Sequence, residues 1–121
     1  MRKEYKFYVY ILTNYSKDVF YVGFTNNIIR RIIEHKNGFG SKFTAKYRLN
    51  CLVRYEETEN VISAIEREKE IKGWRREKKL SLVKSDNANL DDLSGGLFKD
   101  LGISEIEIRG IVNELKNRYK A

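Results

Sequence analysis

The sequence predicts a small α+β domain, a mainly antiparallel three-stranded sheet flanked by helices in the order β-β-α-β-α-α, with an appended C-terminal helix. Three observations predict it. Residues 5–13 and 19–24 are dense in aromatic and β-branched side chains and are separated by the turn cluster Asn14-Tyr15-Ser16-Lys17-Asp18, the pattern of a β-hairpin. Isoleucines at 28, 29, 32 and 33 follow with helical spacing. A chain of 121 residues has room for one domain with a core of modest size.

In the first strand, period two places Tyr8 and Tyr10 on one face and Phe7, Val9 and Ile11 on the other. Asn26 or Asn27 caps the first helix and Gly38 ends it. Arg31 and His35, four apart, share one edge of its apolar face, and Arg30 points away. Residues 38–48 read as a basic loop, and Leu49 to Glu56 as the third strand. The second clear helix covers 60–72, with Val61, Ile62, Ala64, Ile65 and Ile71 as its apolar face and Glu68 inside that face. A carboxylate turned into apolar packing is costly unless it has a partner, so Glu68 is the most informative acid in the chain. Trp74 to Val83 forms a short, very basic helix, and residues 85–98 read as a linker. Ile103 to Tyr119 is a final amphipathic helix, with Ser104 as its cap and Glu107 three residues on.

Composition narrows the chemistry. One cysteine, Cys51, excludes an internal disulfide framework and a Cys-based zinc site, and one histidine excludes a His-rich metal site. A catalytic metal would be held mainly by oxygen, which points to a hard ion such as Mg²⁺ or Mn²⁺. The net charge is +7, and residues 1–84 alone carry 19 bases against 10 acids, so the excess lies on the first two-thirds of the chain. A polyanion partner follows, nucleic acid ahead of an acidic membrane surface. No apolar run approaches a membrane span and no signal-peptide core is present, so a cytoplasmic protein is expected.

Four signals then fall in order: Tyr8-Val9-Tyr10 in the first strand, Tyr21-Val22-Gly23 in the second, Arg31 with His35 on the next helix, and Glu68 within Ile65-Glu66-Arg67-Glu68. This resembles the GIY-YIG nuclease superfamily, in particular its small single-domain members. Tyr8 stands where glycine is commoner, so only Tyr10 carries over from the first motif. The match covers about residues 4–94, with Asp92-Leu93-Ser94 resembling the end of the small-member pattern. Asn87 is the positional candidate for the family's polar residue after the glutamate helix, whereas Ala88 and Leu90 depart from the usual proline and tryptophan.

The resemblance implies an endonuclease using one Mg²⁺ or Mn²⁺ ion to hydrolyse DNA, in repair, recombination or restriction-like roles, with RNA left open. Arg31 would bind phosphate oxygens, having the fork geometry and a permanent charge. Glu68 would hold the metal, with water and phosphate completing the shell. Tyr10 or Tyr21 would orient or deprotonate the water; a free Tyr titrates near ~10, so a base role needs a nearby cation. His35 would assist that proton transfer or bind phosphate. Arg30, Lys42, Lys46, Arg48, Arg75, Arg76, Lys78 and Lys79 would contact the nucleic-acid backbone. Each residue also has a structural reading: Tyr10 and Tyr21 as cross-strand partners, Arg31 and His35 as a solvated edge, Glu68 paired with Arg31 or Lys72. The alternative function is a non-catalytic nucleic-acid-binding module on the same scaffold. Residues 1–94 are expected as the nuclease domain. Residues 95–121 are expected as linker plus a helix that packs on the domain or forms a homodimer.

Overall fold

The computed structural model describes residues 5–120. Its elements are β1 (Phe7–Thr13), β2 (Phe20–Thr25), α1 (Ile28–Lys36), α2 (Lys42–Lys46), β3 (Cys51–Thr58), α3 (Val61–Lys72), α4 (Arg76–Asp86), α5 (Ser94–Asp100) and α6 (Glu105–Arg118). The sheet order is β2-β1-β3 and both pairings are antiparallel. β1 is therefore central, which accounts for its nearly continuous burial.

Alternation in β1 divides the core as expected. Tyr8, Tyr10 and Leu12 face a cluster built with Ile28 and Ile32 of α1, with Leu49, Leu52 and Leu97 completing it. Val9 and Ile11 face the other cluster, with Val22, Val53, Ala64, Ile71, Val83 and Leu90. Helices thus cover both faces: α1 and α5 on one, α3 and α4 on the other. Asn27 caps α1 by accepting from the Arg30 amide, and Gly38 follows its end at φ +78°, a conformation glycine adopts without steric cost. Asn60 and Ser104 cap α3 and α6 in the same way, through the amides of Ser63 and Glu107.

Three expectations are corrected. Residues 38–48 are not all loop: Ser41 and Thr44 form a reciprocal capping box that starts α2. The apolar face assigned to α3 is mostly exposed; Ala64 and Ile71 are buried, whereas Val61, Ile62 and Ile65 face solvent. Ala64 and Ile71 are seven apart and form one narrow stripe, which suffices because α3 packs across β2 and β1 through the small Ala64. The stretch 85–98 is not an unpacked linker. Asp92 accepts from the Leu52 amide and from Lys36, and the Leu93 amide donates to the Leu52 carbonyl at 2.7 Å, latching this segment onto β3. Leu90 turns there at φ +52° while buried, a costly conformation for a bulky residue. The boundary placed after residue 94 falls at the first turn of α5, whose Leu97 belongs to the first core cluster.

α6 packs on α1, buries Leu115 completely, and pairs Glu114 with Arg30 at 3.2 Å. Of the two roles expected for this helix, packing on the domain is the one seen. Among the described residues, no helix is long and apolar enough to cross a membrane.

Candidate active site

The hairpin register sets Tyr10 opposite Gly23 and Leu12 opposite Tyr21, so both tyrosines stand on the face covered by α1. The sheet admits the Tyr10 ring there because residue 23 has no side chain: a Cβ would overlap Tyr10 Cζ and Oη. What Gly23 accommodates is the ring on the neighbouring strand.

One helical turn separates Arg31 from His35, and both reach the Tyr10 hydroxyl. Arg31 Nε donates to Tyr10 Oη at 3.3 Å, and Tyr10 Oη lies 2.9 Å from His35 Nε2. A guanidinium only donates, so Tyr10 Oη accepts from Arg31, and the direction of its bond with His35 Nε2 is set by the imidazole tautomer. On its other side the imidazole bonds Thr44, with Nδ1 3.0 Å from Thr44 Oγ1. Thr44 also accepts from the Ser41 amide at 3.1 Å, which ties this chain of bonds to the cap of α2. Gly40 closes the imidazole's other side, since a Cβ there would overlap the ring.

Burial dominates the electrostatics. It pushes the Tyr10 phenol up to about 12, more than offsetting the Arg31 hydrogen bond that favours the phenolate. Burial, then the positive charge of Arg31, push His35 down to about 4. Burial works against the Arg31 charge, but its bonds to Tyr10 and Glu34 outweigh that and hold it above its ordinary value. Glu34 accepts from Arg31 Nη1 at 3.3 Å; Nη2 has no hydrogen-bond partner among the described residues. The Arg31 side chain is 29% exposed, so a phosphate can reach it.

These positions fix the pH response. His35 is neutral in the fold down to about pH 4, whereas in the unfolded chain it takes up its proton near 6.5. Its contribution is thus complete above pH 6.5 and is lost as pH falls toward 4, on the order of 3 kcal/mol. His35 is the only histidine, so its imidazole NMR signal is unambiguous. We expect that signal to stay in the neutral position from neutral pH to about pH 5, with the urea midpoint falling over the same interval. Titration at the ordinary value would refute the Tyr10–His35–Thr44 chain.

Tyr21 is half-buried beside this chain, its ring centroid 5.7 Å from that of His35 and 6.3 Å from that of Tyr10. Its hydroxyl has no hydrogen-bond partner among the described residues. Glu68 reaches the same neighbourhood from α3, on the stripe between Ala64 and Ile71, with its side chain 18% exposed. Its partner is Lys72 rather than Arg31, at 2.5 Å, and Lys72 Nζ lies 6.0 Å from the Tyr21 ring centroid. Lys72 therefore links the glutamate to the tyrosine, and β2, as an edge strand, lets α3 approach there.

Among the described residues no three His, Cys, Asp or Glu side chains gather into a metal-binding cluster. One carboxylate still suits Mg²⁺ or Mn²⁺, since such hard ions keep several waters and take one or two carboxylates plus substrate phosphate.

The expected nucleic-acid contacts divide. Lys42, Lys46 and Arg48 are exposed on and just after α2, next to Tyr21 through Phe43. Arg75, Arg76, Lys78 and Lys79 lie at the start of α4. Arg76 packs over the Phe20 ring and Lys78 over Trp74, while Lys79 lines a cleft of about 210 Å³ with Asp18 and Phe20. This second group is on the opposite face of β2 from Tyr21. Arg30 joins neither group, because Glu114 of α6 and Glu34 hold it. Asn87 is buried and spends its amide on the Val53 and Asp91 carbonyls and the Asp91 amide, a structural role. Thr44 and Gly40 went unrecognised in the sequence; Ser41-x-x-Thr44 was the available signal for the helix that carries Thr44.

A hairpin carrying paired tyrosines, an Arg–His helix edge and a lone glutamate on a later helix define a nuclease-type domain. Residues 6–81 match the family model described as the GIY-YIG catalytic domain, and the chain belongs to that family. It is similar to the UPF0213 protein of Staphylococcus saprophyticus, 42% identical over 79 residues that cover 64% of this chain and 94% of that one. The UPF0213 protein of Natronomonas pharaonis is 40% identical over 76 residues, 63% of this chain and 88% of its own. That of Clostridium perfringens is 42% identical over 78 residues, 64% and 83% of the two chains. No solved structure matches the chain significantly. The end of α4, α5 and α6 lie beyond the part matched by the family model.

Proposed function

We propose that this protein is a metal-dependent endonuclease that hydrolyses DNA phosphodiester bonds, in repair or recombination. The observation that carries this reading is the hydrogen-bonded sequence Arg31–Tyr10–His35–Thr44 lying beside Tyr21 and the Glu68–Lys72 pair. It aims an Arg31 donor outward while every buried polar group of the support is satisfied, the preorganisation that charge stabilisation in a transition state requires.

Roles follow from position. Arg31 binds the scissile phosphate through the face of its guanidinium not used by Glu34. Tyr10 is a positioning residue: its hydroxyl is engaged by both Arg31 and His35, and burial makes its phenolate too costly for a base. His35 relays that constraint to α2. Tyr21, with its hydroxyl unengaged and its ring half-exposed, orients the attacking water. Glu68 holds one Mg²⁺ or Mn²⁺ ion, which when bound polarises the phosphate and stabilises the departing oxygen. Lys42, Lys46 and Arg48 neutralise neighbouring phosphates.

A second reading, a module that binds nucleic acid without cutting it, is favoured by one observation: Glu68 already has a cation at 2.5 Å. The two readings separate on a panel of labelled single-stranded, duplex, flap and branched DNAs incubated with Mg²⁺, Mn²⁺ or EDTA. Products that need metal and disappear in Arg31→Ala support the nuclease. Binding without products across the panel supports the module.

A further inference from the structure

On α2 and at its C-terminal end, two aromatic rings face solvent. Phe43 is 46% exposed and Tyr47 is 40% exposed; their centroids are 4.8 Å apart at an interplanar angle of 53°. Phe43 also meets Tyr21, at 6.3 Å and 31°. The three rings form a continuous line from the edge of the site out along α2. Large rings left half in water forgo much of the burial energy that normally places such residues in a core, so the fold does not account for them.

Their surroundings select the occupant. From His35 to Tyr55 the chain carries Lys36, Lys42, Lys46, Arg48 and Arg54 and not one acid. Lys42, Lys46 and Arg48 are exposed around the rings, with Lys46 Nζ 5.3 Å from the Tyr47 centroid. Aromatic rings interleaved with cations match a polyanion with flat apolar faces, which is a nucleic-acid strand whose bases are unpaired. In a duplex both faces of each base are covered by its neighbours, leaving no ring to offer. The platform is also held firmly relative to the site, because Thr44 on the inner side of the same helix bonds His35 and the Ser41 cap closes its first turn.

We propose that Phe43 and Tyr47 are a stacking platform for an unpaired nucleobase next to the phosphate bound at Arg31. The preferred substrate is then DNA with single-stranded nucleotides at the cleavage point. This rests on the nucleic-acid reading above and adds to it the substrate class.

The test measures binding in EDTA, so it does not depend on cleavage. Fluorescence anisotropy of a labelled thymidine oligonucleotide and of a blunt duplex of equal length is followed for the wild type, Phe43→Ala/Tyr47→Ala, Lys42→Gln/Lys46→Gln and Phe43→Trp. We expect the ringless double variant to lose about tenfold or more in single-strand affinity while duplex affinity changes little and the salt slope is kept. The lysine variant should lower the salt slope on both ligands, and Phe43→Trp should retain single-strand affinity. Phe43→Leu, apolar but without a ring, carries the same expectation should the double variant fail to fold. Ringless variants that hold the single strand as well as the wild type, or lose both ligands equally, overturn the platform alone. A wild type that binds neither oligonucleotide overturns the nucleic-acid reading and the platform with it.

Discussion

Glu68→Gln is expected to reduce metal-dependent cleavage by about 10³-fold or more. Its affinity for the same DNA in EDTA should stay at the wild-type level or rise slightly. The substitution keeps the volume and shape of the side chain on the stripe between Ala64 and Ile71, so the fold has no reason to change. It removes the charge that the proposed function assigns to the metal, and no other carboxylate or histidine joins Glu68 in a cluster among the described residues. It also leaves the Lys72 ammonium, now 2.5 Å from a neutral amide, unneutralised, and that positive charge favours a phosphate strand. Thermal unfolding of the two proteins should coincide. A Glu68→Gln protein that still cleaves with Mg²⁺ or Mn²⁺ at the wild-type rate would leave the Glu68–Lys72 pair as a structural feature of α3.

Gly23→Ala is expected to be strongly damaging for the addition of a single methyl group. The new Cβ would overlap Cζ and Oη of Tyr10, a rigid ring that is 1% exposed and held by both Arg31 and His35. No rotamer change removes the overlap without breaking those bonds, so either the strands separate or Tyr10 leaves its place. Overpacking of this kind costs typically about 1–3 kcal/mol, and the broken hydrogen bonds add to it. The urea midpoint should fall and cleavage should be lost together. Gly110→Ala in α6 is the matched control. A Cβ there meets nothing within 4 Å, and replacing glycine inside a helix should stabilise by about 1 kcal/mol. Equal midpoints for the two variants would show that Tyr10 can move freely and is not the fixed support assigned to it.

The parts of this domain legible in the sequence are those set by local periodicity and capping. Alternation in residues 7–13 separates the two core faces, and the spacing of Ile28, Ile32 and Ile33 orients α1 with Arg31 and His35 along one edge. Asn27, Asn60 and Ser104 mark helix starts because their side chains satisfy amides within three residues. Glu68 stands out for the same reason: a charge at an inward position of a helix is visible in the spacing alone. α2 was hidden because five residues, Lys-Phe-Thr-Ala-Lys, carry no period to read and its apolar rings do not face the core.

What the tertiary structure decided is which neighbour each side chain meets. Val61, Ile62 and Ile65 share a wheel face with Ala64 and Ile71, yet only the last two are covered, since a helix pattern does not record how far the packed surface extends. The hydrogen-bonded sequence through Tyr10, His35 and Thr44 depends on three segments converging within reach of one another, and so does the burial that holds His35 neutral. α6 takes Arg30 out of the basic surface by pairing it with Glu114, a contact across 84 residues of sequence. The sequence by itself determined the strands, the helix edges and the identity of the chemical groups through interactions within one turn or one strand pair. Their connection into a site arises from packing between segments far apart in the chain, where burial and hydrogen-bond distance have no signature in local sequence.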